Sequence, residues 1–257
     1  MLKENSIQLS NGVYVVCGHM ASGKSTLLEL FKELIPGSVV IDETPPTENP
    51  YFVEYCQAIG REGPNPFAFA VQKYFFEDAI GQGKKISEQA EDKVIFWGGS
   101  PWHHFMYVWL LYKDGSLSKE YYDEYCRLFV KCIPDLPMPK AGIVTLHETG
   151  ESTHLSIEER ANNSKGEKEK IARLAEVGIP IPYLDSQGDY WKARIEEGKL
   201  LPEKDEPRLK GLSPQIKILK LNTTKTDWRT YDKDGNLIND NDGIGRIILS
   251  KLATLAQ

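Results

Sequence analysis

Residues 18–26 read GHMASGKST and carry the spacing G-x-x-x-x-G-K-S through Gly18, Gly23, Lys24 and Ser25. That set of residue types suits one task, which is holding a chain of phosphates. Glycine permits backbone angles that a side chain forbids, so the loop can wrap an anion closely. The amides of such a loop, here those of Ala21, Ser22, Gly23, Lys24, Ser25 and Thr26, attract negative charge together with the positive end of the helix that follows. Lys24 is expected to reach the β- and γ-phosphates. Ser25 is expected to offer its hydroxyl to Mg²⁺, which keeps mostly water and phosphate oxygen as its other ligands. The pattern implies a nucleoside triphosphate and leaves the acceptor of the phosphate unnamed.

The loop needs a strand before it and a helix after it. Residues 13–17 (VYVVC) are apolar and rich in β-branched side chains, and they read as a buried strand. Residues 27–34 have helical composition, with apolar side chains at 27, 28, 31 and 34. A chance glycine turn is the alternative, and this strand-loop-helix order argues against it. Residues 38–41 read as a second buried strand that ends in Asp42 and Glu43. Ligands of open α/β sheets gather at the carboxyl ends of strands, so this acidic pair is well placed for chemistry.

Helices are predicted over 49–58 and 66–80, and a third strand over 92–97 that runs into Gly98, Gly99 and Ser100. An aromatic stretch over 102–112 follows. Its apolar face suits either a dimer contact or a buried core helix. Residues 118–132 read as a helix with Ser118 as its N-cap. Residues 141–146 are a fourth strand. Residues 216–221 are a fifth whose alternating polarity puts it near an edge. Residues 242–256 are a closing helix. Alternating strands and helices imply an α/β fold: one domain over 1–257 with a mostly parallel five-stranded sheet and helices on both faces. Segment 148–210 is polar. Its charged run over 157–176 suits a solvated helix face or a mobile lid that closes over phosphates, with Arg160, Lys165, Lys168 and Arg173 as lid candidates.

A length of 257 residues with 40% hydrophobic and 26% charged residues fits an ordinary globular core. The net charge of -6 offers no basic nucleic-acid face. Four cysteines without a C-x-x-C pair argue against zinc and for a reduced, cytoplasmic setting. No apolar run reaches about 18 residues, so no membrane span is expected.

The stretch DETPPTENPYFVEYCQ, followed after a short loop by NPFAFAVQKYFFEDAI, resembles the deoxynucleoside kinases, particularly the bacterial deoxyadenosine/deoxyguanosine type. LLYKDGSLSKEYYDEYCRLF is similar to that family's helix-turn-helix after the third strand. The resemblance spans roughly residues 10–135 and implies a P-loop kinase using ATP and Mg²⁺. By it, Glu43 matches the carboxylate that takes the proton from an attacking 5′-hydroxyl. Gln72 matches the residue that hydrogen-bonds the nucleobase, and Tyr51 and Phe69 lie where aromatic residues line the nucleoside pocket. Without it, Gln72 reads as a polar residue on a half-buried helix, and Tyr51 and Phe69 read as core. The family is often dimeric, so a homodimer is implied as well.

One departure stands out. The family ends its third strand in Asp/Glu-Arg-Ser; here only Ser100 remains, after Gly98 and Gly99. The acid helps to hold Mg²⁺, and the Arg contacts the catalytic carboxylate and the phosphates. The glycines open room for a larger acceptor, and His103 and His104 follow closely enough to enter the site. Three functions stay open: a kinase acting on a hydroxyl of a nucleoside or nucleotide; a kinase acting on a hydroxymethylated pyrimidine, free or within DNA; and a nucleotide-binding module without transfer. The acidic balance disfavours DNA, whose binding relies on cationic phosphate contacts.

Overall fold

Strand β1 (Gly12–Gly18) takes the centre of the sheet because it is apolar in both directions. Val13, Val15 and Cys17 enter one core, and Tyr14 and Val16 enter the other. A strand sealed on both faces belongs in a parallel sheet. A computed structural model describes residues 9–223 and 244–256. Its five strands run in the order β2-β3-β1-β4-β5, and every pairing is parallel.

Helix α1 (Lys24–Leu34) leads from β1 to β2 (Val39–Ile41). Helices α2 (Phe52–Ala58) and α3 (Ala68–Ser87) lead to β3 (Val94–Gly98). Helices α4 (Pro101–Lys113) and α5 (Lys119–Cys132) lead to β4 (Ala141–Leu146). Helices α6 (Gly150–Asn162), α7 (Glu167–Val177) and α8 (Ile181–Glu197) precede β5 (Lys217–Asn222), and α9 (Ile244–Leu255) follows it. From β1 the chain first travels to one edge and later to the other. The carboxyl end of β1 is therefore a topological switch point, where open sheets bind ligands.

Each face has its own core. Leu27, Leu28, Leu30 and Phe31 of α1 pack with Ile248, Leu249 and Leu252 of α9 against Tyr14, Val16 and Phe96. The opposite face is larger and holds Trp97, Trp102, Phe105, Tyr125, Phe129 and Trp191. Fully burying one such side chain contributes roughly 1.5–3 kcal/mol, which makes α1 and its loop a fixed platform.

Several expectations are met and several are corrected. Ser118 caps α5 by accepting from the Tyr121 amide, and β5 lies at an edge. Strand β2 is the other edge and is only half-buried, not buried as expected, because a single neighbour covers it. The aromatic stretch is the core helix α4, with Trp102, Phe105, Met106, Val108 and Leu111 buried, and so it is not a free dimer surface. The charged run over 157–176 is not one helix. It breaks at residues 163–166, where Gly166 has φ 96°, into the ends of α6 and α7. The start of the closing helix, residues 242–243, lies outside the described residues. Among the described residues no helix is long and apolar enough to cross a membrane.

Candidate active site

The turn after β1 is held in a shape that few residues accept. Gly18, Ala21 and Gly23 have φ of 148°, 55° and 82°. Positive φ turns successive amides toward one side, a concavity that binds anions. The end of β4 presses against it: a Cβ on Gly18 would lie 2.3 Å from the Thr145 carbonyl oxygen. Ser22 Oγ donates to the His19 carbonyl at 2.8 Å and lies 2.6 Å from Thr145 Oγ1. The His147 amide donates to His19 Nε2 at 2.6 Å, and the Met20 amide donates to Gln187 Oε1 at 3.1 Å. Burial pushes His19 down to about 3, so its ring is neutral and can accept. Thr145, His147 and Gln187 support the loop from 123 to 167 residues away in sequence. No local pattern marks them.

Lys24 Nζ donates to the His19 carbonyl at 3.0 Å. An ammonium has three donors, so this bond leaves others for phosphate oxygens. Burial lowers its proton affinity below the ordinary lysine range, while Glu43 and Asp42 draw it back up.

A cavity of about 870 Å³ opens over the carboxyl ends of β1 and β2. At one end it is lined by Ala21, Ser22, Gly23, Lys24, Ser25 and Thr26. At the other end stand Phe52, Tyr55, Gln72, Phe75, His104 and Tyr107. Glu43 and Asp42 line the cavity too, both close enough to Lys24 to act on its charge. Burial pushes the Glu43 carboxyl up to about 7; Lys24 opposes that shift and Asp42 adds to it. His104 Nδ1 lies 3.7 Å from Glu43 Oε1. Burial and Lys24 hold His104 down to about 3, so near neutrality this is a neutral ring beside a carboxyl.

The glycines at the end of β3 open no room for a larger acceptor, contrary to expectation. Gly99 has φ 64°, and a Cβ there would lie 2.7 Å from Glu43 Cβ. The Glu43 segment fills that space. Ser100 is buried at the start of α4 and does not line the cavity. Of the two histidines, His104 lines the cavity, whereas His103 is buried and stacked on Trp191.

Gln72 is buried; its Nε2 donates to the Tyr55 hydroxyl at 3.3 Å and its Oε1 has no partner. Tyr51 and Phe69 stand elsewhere. Tyr51 is 45% exposed, and its neighbour Phe52 lines the cavity instead. Phe69 lies one turn before Gln72 on α3, where it stacks on Tyr121 at 4.6 Å. The aromatic walls are Phe52 and Tyr55 on α2, Phe75 on α3 and Tyr107 on α4, in place of the expected Tyr51 and Phe69.

Helices α6 and α7 and the break between them bring Arg160, Arg173 and Lys165 to the cavity, while Lys168 is exposed and outside it. Arg160 Nη2 and Arg173 Nη1 both donate to the buried Glu176, at 2.5 and 3.1 Å. Of the four expected lid cations, Lys168 alone stands outside the cavity lining. Among the described residues no three His, Cys, Asp or Glu side chains gather closely enough to hold a metal by themselves. Ser25 and Asp42 present oxygen donors in the cavity, the chemistry that suits a hard ion arriving with phosphates.

A search among curated proteins finds no match to this chain. Solved structures do resemble it. A deoxyadenosine kinase from M. mycoides with the products dCMP and dCDP bound superposes with a TM-score of 0.64 at 14% identity, covering 94% of this chain and 99% of that one. The same enzyme with dATP bound gives 0.63 at 15% identity, covering 93% and 98%. These likenesses establish the shared fold. A family model described as deoxynucleoside kinase matches residues 14–202, most of the chain. That match spans the phosphate loop, the Glu43 carboxyl and the cations of α6 and α7, and the chain belongs to the deoxynucleoside kinase family.

Proposed function

We propose that the protein transfers the γ-phosphoryl group of ATP to the 5′-hydroxyl of a deoxynucleoside, with Glu43 as the base. The observation that carries this is one cavity that holds a phosphate loop, a lysine and a carboxyl group whose proton comes off near neutrality. A general base works best when its pKa lies near the working pH.

The loop amides and Lys24 would hold the β- and γ-phosphates. Ser25 would offer its hydroxyl to Mg²⁺, whose part is to bridge and neutralise phosphate oxygens. The acceptor hydroxyl would lie against Glu43, which takes its proton as the oxygen bonds to the γ-phosphorus and ADP leaves. Phosphoryl transfer asks little covalent chemistry of the protein, so positioning and charge supply most of the rate. Gln72 offers a carboxamide to the base edge, one end held by Tyr55 and the other unpaired. Phe52 and Phe75 supply apolar walls for a base. Helices α6 and α7 within segment 148–210 serve as the lid, with Arg160, Lys165 and Arg173 facing the transferred group.

Glu43→Gln tests the reading. Transfer from ATP to a deoxynucleoside should fall by at least about 100-fold, the lower range for a positioned base. ATP binding, followed by calorimetry, should stay within about twofold, because the loop is untouched. Full turnover by the variant would remove Glu43 from the mechanism.

A further inference from the structure

The phosphate loop supplies Mg²⁺ with one neutral oxygen, that of Ser25. A hydrated Mg²⁺ on a nucleotide is ordinarily met by a carboxylate as well. Several carboxylates line the cavity, but Glu176 is taken by Arg160 and Arg173, Glu169 by Arg173, and Glu159 has a partner of its own. Glu43 faces the acceptor end beside His104.

Asp42 is differently placed. It directly follows β2, which pairs with β3 as far as Ile41 opposite Trp97. The next position on β3 is Gly98. A Cβ there would lie 2.9 Å from Asp42 Oδ1 and 2.7 Å from Leu28 Cδ1. The Asp42 carboxylate therefore occupies the space that a side chain at the end of β3 would fill. Its Oδ1 accepts from the Glu43 amide at 2.8 Å, which fixes its direction. Among the described residues its Oδ2 accepts no hydrogen bond, and Asp42 enters no ion pair. It lies close enough to Lys24 to act on its charge, and it lines the cavity with Ser25.

We propose that Asp42, seated over Gly98, is the carboxylate that draws the hydrated Mg²⁺ of the bound nucleotide. The proposal rests on the kinase reading above and adds a residue to it. The carboxylate that would otherwise stand on β3 is delivered from β2, and Gly98 is small because Asp42 needs the room.

Asp42→Asn keeps the acceptor for the Glu43 amide and removes only the charge. The measurement is calorimetric binding of β,γ-methylene ATP, once with Mg²⁺ and once with EDTA. In the wild-type protein Mg²⁺ should strengthen binding. In the variant that gain should shrink about tenfold or more, the scale seen when groups around a metal are lost. Binding in EDTA should hold or tighten, because a negative charge near the phosphates is gone. Mn²⁺ in place of Mg²⁺ gives a second readout: its electron-spin resonance signal with the nucleotide should differ between the two proteins. An undiminished Mg²⁺ gain in the variant, or an equal loss in both buffers, would overturn the role of Asp42 and leave the kinase reading standing. No nucleotide binding by the wild-type protein in either buffer would overturn both.

Discussion

The donor and acceptor ends of the cavity are built in opposite ways. The donor end is one unbroken stretch, residues 18–26, whose positive-φ backbone turns its amides to one side and whose shape is braced by Thr145, His147 and Gln187. The acceptor end is assembled from side chains on α2, α3, α4, α6 and α7, which meet from separate parts of the chain. A phosphate is the same in every nucleotide, so a rigid local device suffices for it. An acceptor varies, and its site is a meeting of helices that can each change without disturbing the loop.

The sharpest way to separate the ends is to break the donor alone. Gly18→Ala forces a side chain at φ 148° into the Thr145 carbonyl. Nucleotide binding measured by calorimetry should be lost, and stability should fall by about 1–3 kcal/mol from backbone strain. Gly99→Ala strikes the other end. Its Cβ would displace Glu43, and a shift of the order of 1 Å costs about 100-fold in rate. Steady-state kinetics should show that loss in kcat, with ATP affinity nearly unchanged; an equal loss of ATP affinity would erase the distinction between the ends.

Smaller effects refine the acceptor end. Arg160→Ala leaves the buried Glu176 with Arg173 alone and should cost about 2 kcal/mol in a denaturant titration. Gln72→Ala should change the order of preferred deoxynucleosides by about tenfold in relative kcat/KM, while the KM for ATP stays put. An unchanged order would release Gln72 from reading the base.

Protonation gives the mildest perturbation. Glu43 must be ionised to accept a proton, so kcat/KM should fall along a single-proton limb as pH drops through about 7. The same shift bears on stability. The folded state holds this proton more tightly than the unfolded chain does, so the wild-type protein loses stability as pH rises from the ordinary carboxyl range through about 7. Thermal melts of Glu43→Gln should therefore show a gain above pH 7 that is absent near pH 4.

What the sequence conveyed follows the same division. The loop, β1, β4 and the edge position of β5 were legible because each depends on neighbours in the chain: glycine spacing, apolar runs and alternation. The position of Glu43 in the cavity wall was legible through its place after a strand. Phe52, Phe75 and Tyr107 were not, since their role depends on which face α2, α3 and α4 turn toward the sheet, and tertiary packing sets that. Tyr51 and Phe69, expected there, lie outside the cavity lining for this reason. The meaning of Gly98 and Gly99 was also hidden. Their lack of side chains reads as open space in the sequence, whereas Asp42 and Glu43 fill that space in the fold.

Phosphoryl transfer to a deoxynucleoside has to proceed in spite of the altered β3 end. Its most direct test is incubation with γ-labelled ATP and Mg²⁺ across deoxynucleosides, deoxynucleoside monophosphates, hydroxymethylated pyrimidine nucleotides and oligonucleotides containing that base. Label on the 5′-oxygen of a free deoxynucleoside is the predicted result. Label confined to the modified base or to DNA, or none on any acceptor while ATP still binds, would contradict it.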